Sequence, residues 1–107
     1  MPTSVEVFGA RYKAVAAGQT ASALGPDGGK IGDVLEGILV VPASTSPGVV
    51  QIKDGAGTAI TVFAGGAGSV SNLVSFPLPL GGIKSEAGAW QITTGANVSV
   101  VAYGRFT

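Results

Sequence analysis

Residues 49–64 read VVQIKDGAGTAITVFA, and this stretch decides the fold. Val50 and Ile52 alternate with Gln51 and Lys53, the period of two that marks a strand with one buried face. Asp54-Gly55-Ala56-Gly57 supplies residues that accept positive φ, so the chain can reverse there. It returns as AITVFA, with Ile60 and Val62 on one face and Thr61 and Phe63 on the other. The two runs form an antiparallel hairpin, and the same grammar extends in both directions.

Upstream, residues 33–42 (DVLEGILVVP) are a nearly continuous apolar run closed by Pro42, as expected of a central strand covered on both faces. Downstream, Gly65-Gly66-Ala67-Gly68 breaks the chain before SVSNLVSFPLPL, where Pro77 and Pro79 confine the strand to an edge or to its end. AWQITT sets Trp90 and Ile92 against Gln91 and Thr93, and Gly95-Ala96-Asn97 turns into NVSVVAYGRF. There Val98, Val100, Ala102 and Phe106 share one face, with Ser99, Val101, Tyr103 and Arg105 opposite. The reading is an all-β fold, an antiparallel β-sandwich or jelly roll of about seven to eight strands in one domain over residues 1–107. Leu39, Val41, Ile52, Val62, Trp90, Ile92, Val98 and Val100 are the expected core. Residues 10–17 (ARYKAVAA) are the one candidate for a short helix.

Composition narrows the function. The 107 residues include no His and no Cys, 12 charged side chains balanced to zero, and 18 Gly. The usual general base, soft metal ligand and activated thiol are missing, which points away from an enzyme. Six basic residues scattered singly give no footprint for nucleic acid. The uncharged stretch from Gly55 to Ile83 is broken by glycines, Pro77, Pro79 and Asn72, so it does not read as a membrane-spanning helix. No secretory signal or disulfide framework is expected, in keeping with synthesis in a reducing cytoplasm. A chain with 11% charge and no net charge lacks self-repulsion, so part of its surface is expected to lie against other subunits.

Several short matches fail on inspection. Gly28-Gly29-Lys30 would need a glycine where Leu24 stands and a hydroxyl where Ile31 stands to be a phosphate loop. Gly66-Ala67-Gly68 has Ser71 at the third glycine position of a dinucleotide fingerprint. Asp27 and Asp33 flank GGKIG without the alternating acids and closing Glu of a calcium loop, so a polar turn is the reading there. The five acids Asp27, Asp33, Glu36, Asp54 and Glu86 lie mostly in turns, with no sign of convergence. A sugar-stacking platform of Trp90 with Tyr103 is the functional reading of these aromatics, but aromatics in alternating strands more often fill a core. No catalytic, cofactor or metal residue is assigned, and no cofactor is expected.

The central apolar strand, the IKDGAG hairpin, the FPLPLGGIKS turn and the closing TTGANVSVVAYGRF hairpin, in that order, resemble small β-sandwich or jelly-roll virion proteins of tailed bacteriophages and prophages. The resemblance covers the chain from about Asp33 onward. It implies a virion structural protein made in the host cytoplasm, a capsid decoration (cement) protein that covers junctions on the lattice of a major capsid protein or binds another virion protein. Use as a tail or fibre-tip module, or as a carbohydrate-binding sandwich, is the alternative. A homo-oligomer such as a trimer is expected. Residues 1–12 read equally as an extended N-terminal arm or as an edge strand, with Val5, Val7, Phe8 and Tyr12 as candidate interface residues.

Overall fold

Alternating β-branched and small polar residues, punctuated by glycine turns, give eight strands and no helix in the computed structural model, which describes residues 11–107. In chain order they are β1 (Arg11–Val15), β2 (Ser22–Ala23), β3 (Val34–Pro42), β4 (Val50–Asp54), β5 (Ile60–Phe63), β6 (Phe76–Lys84), β7 (Trp90–Thr94) and β8 (Val98–Arg105). The hairpin at Asp54 forms as read: Gly55 takes φ +56° and the Gly57 N–H donates to the Asp54 carbonyl at 2.8 Å. At the β7–β8 turn Asn97 occupies the left-handed region at φ +59°, a conformation its short polar side chain tolerates.

Every pairing is antiparallel. β1 pairs with β8, β2 with β7, β3 with β6 and β4 with β5, so the chain is one long hairpin folded on itself. Rolling that hairpin distributes the pairs over two four-stranded sheets, ordered β1-β8-β3-β6 and β2-β7-β4-β5. This is the jelly-roll arrangement of the β-sandwich. β3–β8 and β4–β7 contacts complete the first and second sheets.

One core lies between the sheets. Leu35, Ile38, Val40, Val98, Val100 and Ala102 face inward from the first sheet, and Val50, Ile52, Trp90 and Ile92 from the second. Burying each large aliphatic side chain contributes about 1.5–3 kcal/mol before chain entropy is counted. Trp90 keeps its one polar atom satisfied, donating from Nε1 to the Asp33 carbonyl at 3.0 Å.

Two expected core residues are on the wrong face. Leu39 and Val41 are half-buried on the outer surface of the first sheet, and Ile38 and Val40 take the interior. The cause is a bulge. Leu35 opposes Gly104 and Gly37 opposes Tyr103, so Glu36 is an extra residue with no partner of its own in β8. Glu36 and Gly37 therefore both lie on the outer side, and every later side chain in β3 changes face. A second irregularity, between Val50 and Gln51, pairs Phe63 rather than Val62 with Val50. Phe63 thus does not share a face with Thr61; it turns to the core and meets Phe76 edge-to-face at 5.5 Å, while Val62 packs at the margin of the same cluster.

Residues 11–15 of the candidate helix are strand β1, where pairing with β8 overrides the helix propensity of alanine. Tyr12 belongs to that strand, so a cut after Tyr12 would remove two residues of a paired element. Val5, Val7 and Phe8 lie outside the described residues.

Candidate functional site

Side chains directly opposite one another on neighbouring strands share a face, so the register describes the surfaces of the sandwich. Across the outer face of the first sheet runs the row Ala14, Val101, Leu39, Pro77. Beside it lies the row Tyr12, Tyr103, Gly37, Pro79. Val41 extends this apolar surface at one end, and Arg105, Val34 and Lys84 close it at the other. Tyr12 is 76% exposed. The outer face of the second sheet has the opposite character, with Gln51, Lys53, Thr61, Gln91 and Thr93 in register. One face of the sandwich is made for water and the other is not.

The first sheet is also guarded against growth by strand addition at β6. Pro77 and Pro79 oppose Leu39 and Gly37, and a proline can hold such a position only where the partner needs no N–H from it. Their nitrogens therefore point to the outer side of β6, where an incoming strand would require donors. On β1, Lys13 opposes the buried Ala102 and so sits on the inner side, a charge that an added strand and its covering layer would have to bury. Contact through the face is left open while contact through these edges is hindered.

At the charged end of the apolar face the bulge opens a concavity of about 550 Å³, lined by Val34, Glu36, Pro79, Gly81, Gly82, Tyr103 and Arg105. Leu80, Gly81 and Gly82 together oppose Glu36 alone, which lifts β6 away from β3. Gly81 and Gly82 take φ of +76° and +75°, and their missing side chains keep that wall bare. A Cβ on Gly37 would fall 2.7 Å from Cζ of Tyr103, so the phenol end of that side chain reaches over Gly37, and Tyr103 contributes to the lining. Arg105 Nε stands 3.6 Å from Glu36 Oε2 at the rim, both side chains partly exposed. An ion pair this open contributes under about 1 kcal/mol to stability, and its polar atoms stay available to other partners.

The residues weighed earlier for chemistry have structural uses. Asp33 is 4% exposed, and its Oδ2 accepts from the Lys30 and Thr107 N–H groups at 3.0 and 3.1 Å while Oδ1 accepts from the Thr107 hydroxyl at 2.9 Å. It clasps the loop before β3 to the C-terminal residue, so its oxygens are already engaged. Asp54 accepts from the N–H groups of Glu86 and Ala87 at 2.9 and 3.0 Å, docking the β4–β5 turn on the β6–β7 turn. The Glu86 N–H foremost, with those of Ala87 and Gly88 and against a smaller desolvation effect, holds the Asp54 carboxyl below its ordinary value of 3.8. Trp90 is core, apart from Tyr103 on the opposite side of the first sheet. Among the described residues no three His, Cys, Asp or Glu side chains cluster.

The fold and these surfaces define a jelly-roll sandwich with one apolar face. Comparison with known proteins adds no relative: no family model, curated protein or solved structure matches the chain.

Proposed function

We propose that the chain is a structural assembly protein that docks by the outer face of its first sheet, and that its place is the virion of a tailed bacteriophage as a capsid decoration protein. The observation that carries this reading is the apolar set of half-buried Leu39, Val41 and Val101 with exposed Tyr12, Pro77 and Pro79, among the described residues, set against the polar outer face of the second sheet. A contiguous apolar surface on an otherwise self-sufficient domain marks an interaction site. The jelly-roll order supports the viral placement by analogy, since viral shell proteins use this architecture, as do lectins. The resemblance of the segment order to phage virion components points the same way.

Size decides how such docking would work. Four strands about 4.8 Å apart and roughly eight residues long at about 3.3 Å per residue give a face near 500 Å². A standard interface removes about 800 Å² from each partner. One copy held by this face alone binds weakly, so an oligomer presenting several copies to a repeating lattice gains the avidity that a single contact lacks. Edge strands hindered by Pro77, Pro79 and Lys13 fit face-directed assembly rather than fibre growth.

The test pairs mass measurement with localisation. Sedimentation or mass photometry at micromolar concentration should show a homo-oligomer, and Leu39→Asp should shift it to monomer or abolish binding to capsids while the melt is retained. A protein that stays monomeric and ignores capsids, with Leu39→Asp behaving as wild type, would sink the proposal.

A further inference from the structure

We propose that the concavity at the β3 bulge binds a neutral saccharide, seated with one pyranose ring on Tyr103. The phenol end of Tyr103 reaches over Gly37, and the half-buried side chain lines the open space. An aromatic side chain beside Val34 and Pro79 gives the hollow an apolar lining that suits the C–H face of a sugar ring, which is apolar although its hydroxyl rim is not. The hollow holds about 550 Å³ and is widely open to solvent, so it suits one ring of a longer sugar chain rather than an enclosed ligand.

The rim selects the ligand class. Arg105 uses Nε toward Glu36 at 3.6 Å, which leaves its terminal nitrogens as a fork of donors. Glu36 keeps acceptor capacity on both oxygens. A donor fork beside an acceptor pair complements two adjacent hydroxyls, each of which donates and accepts. A phosphate or carboxylate would face Glu36 and a cation would face Arg105 and the neighbouring Lys84, whereas a neutral polyol meets neither penalty. The bare wall at Gly81 and Gly82 removes the side chains that would otherwise occupy the space: a Cβ at Gly81 would meet nothing within 4 Å. Positive φ at both positions restricts them to glycine without strain, so the opening is built into the backbone.

This site goes beyond the assembly reading, because it occupies only the charged end of the face and needs no partner protein. Amide shifts of the uniformly labelled protein would be followed while adding cellotetraose, chitobiose, lactose and a mannose disaccharide, with glucuronic acid and inorganic phosphate as charged comparators. The expected result is that at least one neutral sugar moves the amides of Val34, Glu36, Tyr103 and Arg105 in a saturable way, with charged comparators at least about tenfold weaker. Tyr103→Phe should keep binding and Tyr103→Leu should weaken it about tenfold or more. Because Tyr103→Leu also uncovers Gly37, Arg105→Lys serves as a second variant that leaves Tyr103 in place, and it too should weaken binding. Three outcomes overturn the proposal: no neutral sugar shifting these amides, shifts confined to other surfaces, or phosphate binding more tightly than every sugar. Shifts on simple dilution confined to these residues, and absent from Leu39 and Val101 of the docking face, would assign the concavity to a second copy of the chain and overturn it likewise.

Discussion

Ile38 and Leu39 are chain neighbours on opposite faces of β3, and truncating each to alanine tests the bulge that decides which faces inward. Ile38 is completely buried, so Ile38→Ala removes three carbons from a closed interior. Their transfer is worth about 0.8 kcal/mol each, and the cavity left behind brings the cost to about 3–4 kcal/mol. Leu39→Ala removes the same number of carbons from a half-buried outer site, where water fills the gap and no cavity remains. About half the transfer term is lost, roughly 1 kcal/mol. At about 4 °C per kcal/mol for a domain of this size, the melt should fall by about 12–16 °C for Ile38→Ala and about 4 °C for Leu39→Ala. Circular dichroism melts in dilute solution, where association adds nothing, read this difference directly. Equal losses, or the larger loss at Leu39, would mean that β3 runs without the phase change and that Leu39 and Val41 are core after all.

Asp33→Ala should cost about 1–3 kcal/mol in urea unfolding, because it leaves the Lys30 and Thr107 N–H groups and the Thr107 hydroxyl without their acceptor; an unchanged midpoint would show that the clasp is dispensable. The lowered folded-state pKa of Asp54 makes its contribution complete above its unfolded value near 3.8 and lost as pH falls through the folded value. Wild type should therefore exceed Asp54→Asn in melting temperature at neutral pH, with the gap narrowing as pH falls below the unfolded value, and a gap independent of pH throughout the acid range would contradict the assignment. Gly37→Ala should displace the Tyr103 ring, costing about 1–3 kcal/mol and any sugar binding with it. A fully retained melt there would mean that Tyr103 does not reach over Gly37.

Much of the fold is written in local sequence. Glycine and Asp-Gly turns at Asp54-Gly55 and Gly95-Ala96-Asn97, with alternation through Trp90–Thr94 and Val98–Arg105, specify strands, hairpins and their inward faces. These signals are short-range, so one sequence carries them. The prolines of β6 likewise announce an edge, because a missing N–H is a property of the residue itself. β1 is less legible, since Arg11–Val15 is a strand only by virtue of β8 beside it.

The candidate site shows where local reading ends. Tyr103 and Arg105 are on the outward face expected of them, and Glu36 is visible as a lone acid in an apolar run, yet nothing local sets the three together. Two parts of the chain, residues 34–37 and 79–82, must first pair out of step, and only then does a concavity form over Gly37. Sequence by itself determined the all-β class, the turn positions and the low-charge surface, because composition, periodicity and turn chemistry act within a few residues. Tertiary structure alone decided the jelly-roll order, the face that Ile38 and Leu39 present, and the apolar outer sheet. In the run GILVV both faces are apolar, so alternation has no preferred phase, and the choice falls to the one-residue bulge that register with β8 imposes.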